Sequence, residues 1–237
     1  MTEPARFVPF GASHLTTLAV IFLVSIGLPL AVRRWGSDRL ARRLATTVAV
    51  LGVLHELYGR WAWVAIWHQP LVDHLPLHIC GAAVFLTAVL LIWRSHRVYE
   101  VVYFWGLAGA LQAMLTPEMP FDFPHPIFLG FFTSHGLILF GLCYATLVFR
   151  LRPTWSSIPR AFAITLMYTF LVVAPLNLLL DTNYMYLRGK PASGSVLDLF
   201  GPWPWYIAGT AAFTYASFVF YYLPFFFRDR FFRRPTA

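Results

Sequence analysis

Seven apolar segments, all but the shortest long enough to cross a bilayer, run from one end of this chain to the other. They are Leu15–Val32, Leu44–Trp67, Pro76–Ile92, Val101–Leu115, Phe128–Phe149, Ala161–Leu180 and Trp205–Phe226. The fourth is short and is expected to begin nearer Tyr99. A span needs about 20 apolar residues, so seven of them use most of 237 residues. Only 12% of the chain is charged, about half the share of a soluble domain. The expected fold is all-α: one polytopic membrane domain over residues 1–237, with seven transmembrane helices. The first apolar run lacks a basic region before it and a small-residue cleavage site after it, so no cleavable signal is expected. Two cysteines do not suggest a disulfide scaffold.

The charges sort by face. One face collects fourteen arginines, among them Arg33, Arg34, Arg94, Arg152, Arg233 and Arg234, against Asp38, Glu100 and Asp229, a net of +11. The other has Arg6, Arg188 and Lys190 against Glu3, Asp73, Glu118, Asp122, Asp181 and Asp198, a net of −3. Basic residues stay on the cytoplasmic side. The N-terminus is therefore expected outside and the C-terminus in the cytoplasm. The basic balance is a topology signal that also suits an anionic lipid surface; no nucleic-acid partner is expected.

Polar residues inside such spans are costly, and each is by default a candidate for function. In this topology Cys80, His135, Gln112, Asn177, His74 and His78 fall in the half nearer the outer face. At ~1.5 Å per residue, Cys80 and His135 lie roughly 6 and 10 Å below the outer ends of their spans, and Gln112 and Asn177 about 5 Å below theirs. His78 and Cys80 are two apart and point to nearly opposite faces of a helix, so His135 is the better base for Cys80. A cysteine nucleophile needs a base within about 3 Å. The alternative is a core cysteine beside a hydrogen-bonded core histidine. Cys143, about 12 Å deeper than His135, reads as a packing residue. Glu56 and Arg60 share a helix face four residues apart. They are either a neutralising structural pair or the polar floor of a site, orienting His135 through Glu56 or His55. His74 and His78 share a face if the third helix starts early. With Asp73, His125 or Glu56 they are the residues a metal site would use, but no compact signature such as H-E-x-x-H is present. No metal and no cofactor are expected.

The longest connection, from Asp181 to Trp203, carries aromatic residues and a Pro-Trp-Pro-Trp run, as a structured interfacial cap would. Arg188 and Lys190 stand there against the charge rule and are candidates, with His74, for holding a lipid headgroup; a solvated turn is the other reading. Gly106, Gly109 and Ala113 form a small-residue face suited to helix packing.

Five motifs together resemble the bacterial YwaF-like integral membrane family. They are Leu75-Pro76-Leu77-His78-Ile79-Cys80, Gln112-Ala113-Met114-Leu115-Thr116-Pro117, Ser134-His135-Gly136, Asn183-Tyr184-Met185-Tyr186-Leu187 and Gly201-Pro202-Trp203-Pro204-Trp205. That family is similar to eukaryotic transmembrane protein 164, described as a cysteine-dependent phospholipid acyltransferase. It is more distantly similar to androgen-induced membrane lipid hydrolases, which use a threonine and a histidine. The resemblance implies Cys80 as nucleophile and His135 as base in a bacterial cytoplasmic-membrane protein. Gln112 and Asn177, with His78 and Glu56 as polar support, are candidates for stabilising the oxyanion. The expected function is acyl transfer from a phospholipid through a thioester to a lysophospholipid or another hydroxyl. A lipid ester hydrolase with the same pair, a transporter or binding protein with an outward-facing polar pocket, and a purely structural membrane protein are the alternatives.

Overall fold

The computed structural model describes residues 5–191 and 196–232. Glu3, Arg233 and Arg234 of the charge count lie outside the described residues. Among those described, the chain is all-helical, with no strand beyond an isolated bridge between Arg6 and Phe121. The seven long helices are α1 (Ala12–Trp35), α2 (Asp38–Ala65), α3 (Ile79–Trp93), α4 (His96–Leu115), α5 (Pro126–Leu147), α6 (Ser157–Leu180) and α7 (Trp205–Phe232). Five of them, α1, α4, α5, α6 and α7, are long and apolar enough to cross a membrane. Helix α2 has the length, but its first turns carry Asp38, Arg39, Arg42 and Arg43. Helix α3 is apolar but has only 15 residues.

Local chemistry sets the boundaries. Ser37 caps α2 by accepting from the Leu40 N–H, and Ser95 caps α4 by accepting from Val98, each satisfying one of the donors a helix start leaves open. At the start of α5 the His125 ring accepts from Ile127 and Pro126 fills the first turn, where a missing N–H does no harm. Helix α3 ends at Arg94 in the left-handed conformation, φ 53°, and α4 begins two residues later.

The chain forms two compact units, one ending at Leu151 and one beginning at Arg152. In the first, α5 is the hub and packs against α1, α2, α3 and α4. Small residues allow the close approach: Ala45, Ala49 and Ala88 pack with Leu91, Phe140 and Tyr144, as in membrane helix interfaces generally. The Tyr144 hydroxyl donates to the Ala41 carbonyl at 2.7 Å. His14, fully buried on α1, joins that helix to α4. Its Nδ1 accepts from the Phe10 N–H (2.9 Å), which fixes the proton on Nε2, and Nε2 donates to the Met114 carbonyl (2.8 Å).

In the second unit, α6 packs on α7, and the segment between them is held by Asn177 and Asn183. Helix α6 ends at Asp181, φ 53°, and the Arg188 guanidinium closes that end. It pairs with Asp181 at 2.6 Å and donates to the carbonyls of Asn177 and Thr182.

Candidate functional site

The region around Cys80 departs most from the reading by hydropathy. A span was expected from Pro76, but helix α3 starts at Ile79. Residues Leu71–Asp73 form one 3-10 turn. His78 is extended, φ −66° and ψ 145°, as the N-cap. A residue before proline is biased away from helical ψ, so Pro76 leaves Leu75 unable to extend a helix, and the tight Leu77 N–H to Leu75 carbonyl turn (2.8 Å) follows. Cys80 therefore lies in the first turn of α3, one residue after Ile79. The shared helix face proposed for His74 and His78 does not form.

His74 instead stacks on Trp63 of α2, with centroids 4.8 Å apart and planes 6° from parallel. Burial against that ring holds its pKa below 6.5, opposed by the Asp73 carboxylate and reinforced by the Arg60 charge. The neutral form is thus favoured on folding. This contribution is complete above the unfolded value near 6.5 and is lost as pH falls from there through the lower folded value. We expect an NMR titration of His74 with a midpoint below 6.5 that moves up in Trp63→Ala.

Cys80 is partly exposed and free. Its Sγ lies 3.9 Å from where a Cβ on Gly109 of α4 would sit, and Ile79 Cγ2 lies 3.7 Å from the same point. Gly109 falls within a π-helical stretch, Gly106–Leu111, that interrupts α4; such bulges recur at functional sites. The small-residue face of α4 thus splits in role. Gly106 receives Leu142 of α5, whereas Gly109 leaves space beside the thiol. Gln112 follows three residues on. Its Nε2 donates to Thr116 Oγ1 at 3.1 Å.

Against the next residue, Gly81, lies the Glu56–Arg60 pair. A Cβ on Gly81 would be 2.7 Å from Arg60 Nη2, 3.2 Å from Pro76 Cα and 3.3 Å from Glu56 Oε1. Arg60 Nη1 meets Glu56 Oε1 at 2.7 Å and also donates to the Glu56 carbonyl at 3.0 Å. Glu56 Oε2 accepts from Ser134 Oγ on α5 at 3.4 Å. His55 Nε2 donates to the Gly130 carbonyl at 3.1 Å. One buried carboxylate thus ties α2 to α5 beside the start of α3.

His135 follows Ser134 on α5 and is buried. Its Nδ1 lies 2.8 Å from the Phe131 carbonyl, and its ring stacks on Phe131 at 4.1 Å. A carbonyl only accepts, so Nδ1 carries the proton, which leaves the lone pair on Nε2. Among the described residues Nε2 has no hydrogen-bond partner, and no hydrogen bond joins His135 to Cys80. The structure brings Cys80, Gly109, Glu56, Arg60 and Ser134 together, with His135 one residue beyond Ser134.

The other candidates are engaged elsewhere. Asn177, in the second unit, donates through Nδ2 to the Tyr184 carbonyl and accepts through Oδ1 from Thr182 and Tyr184. Arg188 closes the end of α6, as above. Lys190 pairs with Asp198 at 3.2 Å and lies 5.4 Å from the centroid of the Tyr206 ring. All three hold described residues that follow α6. His78 is exposed at the start of α3. Among the described residues no three His, Cys, Asp or Glu side chains gather as metal ligands. Arg60 enters the sequence reading only with Glu56, through their i, i+4 spacing, as a structural pair or the polar floor of a site. His14 is not among the candidates, and nothing local distinguishes it.

No solved structure matches this chain. An uncharacterized protein of Treponema pallidum (strain Nichols) is 27% identical over 122 residues. That match covers 50% of this chain and 49% of the relative, so the chain spans about half the length of the relative it matches. The family model described as the TMEM164 family matches residues 9–222, nearly the whole length, and the chain belongs to that family.

Proposed function

We propose that this protein transfers an acyl chain from a phospholipid through a thioester on Cys80, with His135 Nε2 as the base. The observation that carries the reading is the position of Cys80. It is a partly exposed thiol in the first turn of a short apolar helix, against Gly109 of α4 and one residue before the contact with the Glu56–Arg60 pair. At ~1.5 Å per residue, 15 residues span ~22 Å, about 8 Å less than a ~30 Å hydrocarbon core. A first turn that stops short of the headgroups meets an acyl ester without drawing the lipid into water.

In the first step His135 Nε2 takes the thiol proton and Sγ attacks the ester carbonyl carbon. A C–S bond forms, the ester C–O bond breaks, and the leaving lyso-lipid oxygen takes the proton back from His135. In the second step a hydroxyl attacks the thioester as His135 takes its proton; a C–O bond forms, the C–S bond breaks, and Sγ takes the proton back. A lysophospholipid hydroxyl gives a remodelled phospholipid; water gives a fatty acid. The Cys80–His135 hydrogen bond forms on substrate binding, as catalytic bonds often tighten only in the complex.

The orientation belongs to the same proposal. It has the ends of α1, α3 and α5 and the starts of α2 and α4 in the cytoplasm of a bacterial inner membrane and Cys80 in the outer leaflet, and it is supported by the arginines at those helix ends. A tag on the N-terminus is expected to be cleaved by protease added outside sealed spheroplasts; cleavage only after lysis reverses the assignment.

The reaction is tested with a lipid-chain chloromethyl ketone in detergent micelles. Peptide mass spectrometry is expected to find alkylation at Cys80 ahead of Cys143, slowed about 100-fold in His135→Ala, as for loss of a general base. Equal labelling of the two cysteines, or no effect of His135→Ala, rejects the pair.

A further inference from the structure

Arg60 makes an unusual use of its guanidinium. The group has five N–H donors in a rigid fork. Nη1 meets both contacts to Glu56, the carboxylate at 2.7 Å and the backbone carbonyl at 3.0 Å. Nε is buried without a hydrogen-bond partner. Nη2 points to the first turn of α3, where a Cβ on Gly81 would come within 2.7 Å of it. The end-on nitrogen is thus spent inside the protein. The side-on edge, Nε with Nη2, is the one built for two parallel bonds to an oxoanion.

Two features set this geometry apart from a pair built only to neutralise charge. A salt bridge built only to neutralise Glu56 gains most from the two-point approach, with both carboxylate oxygens on one guanidinium edge. Here the second oxygen, Oε2, is used by Ser134. A buried charged N–H without a partner also costs more than ~1–3 kcal/mol, a cost that a ligand supplying the acceptor removes.

We infer that Arg60 is a substrate-binding residue whose Nε/Nη2 edge takes the phosphodiester of a glycerophospholipid. The lipid's identity rests on the acyl-transfer reading, but the binding does not require turnover. In a glycerophospholipid the acyl esters lie a few bonds from phosphorus. A phosphate held beside Gly81 therefore sets an ester carbonyl next to Cys80. Glu56 positions the fork rather than reacting: it fixes Nη1, and Ser134 fixes Glu56.

The test measures binding on the full chain in detergent, by native mass spectrometry, with three probes of one chain length: phosphatidylglycerol, diacylglycerol and free fatty acid. The proteins are wild type, Arg60→Lys and Gly81→Ala. Lysine keeps a cation for Glu56 but loses the fork. Alanine at 81 leaves every charge in place and displaces Nη2. Each variant is expected to bind phosphatidylglycerol about tenfold more weakly or worse, while diacylglycerol and fatty acid are unchanged. Should Arg60→Lys fail to fold, Gly81→Ala and the wild-type preference for phosphatidylglycerol over diacylglycerol still decide the matter. Equal affinity of all the proteins for phosphatidylglycerol overturns the inference, as does a loss confined to fatty acid or shared by diacylglycerol. A catalytic failure with selective binding intact rejects the acyl-transfer reading alone.

Discussion

Cys80→Ala is expected to lose acyl transfer by about 10,000-fold or more, the scale on which removing a covalent nucleophile acts, while the protein still folds and binds phospholipid. Alanine removes only the sulfur. The side chain is partly exposed and makes no disulfide, so little packing goes with it. Without Sγ no thioester forms, and an adjacent water or hydroxyl would have to attack the lipid ester unaided. Cys143→Ala is the internal control. That residue lies eight positions along α5 from His135, about 12 Å deeper by helical rise, and its loss is expected to leave the rate within a factor of two or so of wild type, as for a residue outside the site. The assay follows release and transfer of a labelled chain from phosphatidylglycerol in nanodiscs. Turnover by Cys80→Ala near the wild-type rate removes the mechanism.

The second large effect is on stability. Glu56→Ala is expected to destabilise the fold by about 3–5 kcal/mol, the cost of leaving one partner of a buried ion pair uncompensated. Glu56 is 7% exposed, and its loss frees Arg60 from both bonds while removing the acceptor of Ser134. The double variant Glu56→Leu, Arg60→Leu replaces the charges with apolar groups. It is expected to regain most of that stability, because a buried pair exchanged for well-packed hydrophobes is often neutral, yet it remains inactive. Thermal unfolding in detergent reads the first effect and lipid turnover the second. A double variant that folds and turns over normally makes the pair structural only.

The helices were legible in the sequence wherever burial is set by hydropathy alone. Helices α1, α4, α5, α6 and α7 coincide with the expected spans and extend past most of their ends, because capping and charged residues continue a helix beyond its apolar centre. Ser95 moves the start of α4 five residues before Val101, for example. What failed was the start of α3, where the run Leu75-Pro76-Leu77 is as apolar as a span but local backbone chemistry folds it as a turn. That shift moves Cys80 into a first turn, and with no helix before Ile79 the shared face of His74 and His78 does not form.

The sequence offered the site as a set of polar residues but not as a geometry. Spacing along one helix paired Glu56 with Arg60, but contacts between helices are set by rotation about each axis. Sequence does not encode that directly. Gly109 reads as helix packing, like Gly106, until the Cys80 sulfur is seen beside it. Arg188 and Lys190 look like headgroup ligands because they break the charge rule. Asp181 and Asp198, which hold them, sit seven and eight residues away. His14 bonds across 100 positions to Met114, beyond any local pattern.

The most direct measurement is of the intermediate itself. Full-length protein in nanodiscs is given phosphatidylglycerol with an isotope-labelled chain, quenched in acid within the first turnovers and digested. The account predicts the labelled acyl mass on the peptide containing Cys80, removed by neutral hydroxylamine and absent from Cys80→Ala. Labelled product formed at full rate with no acyl group on Cys80, or with the group on another residue, contradicts it.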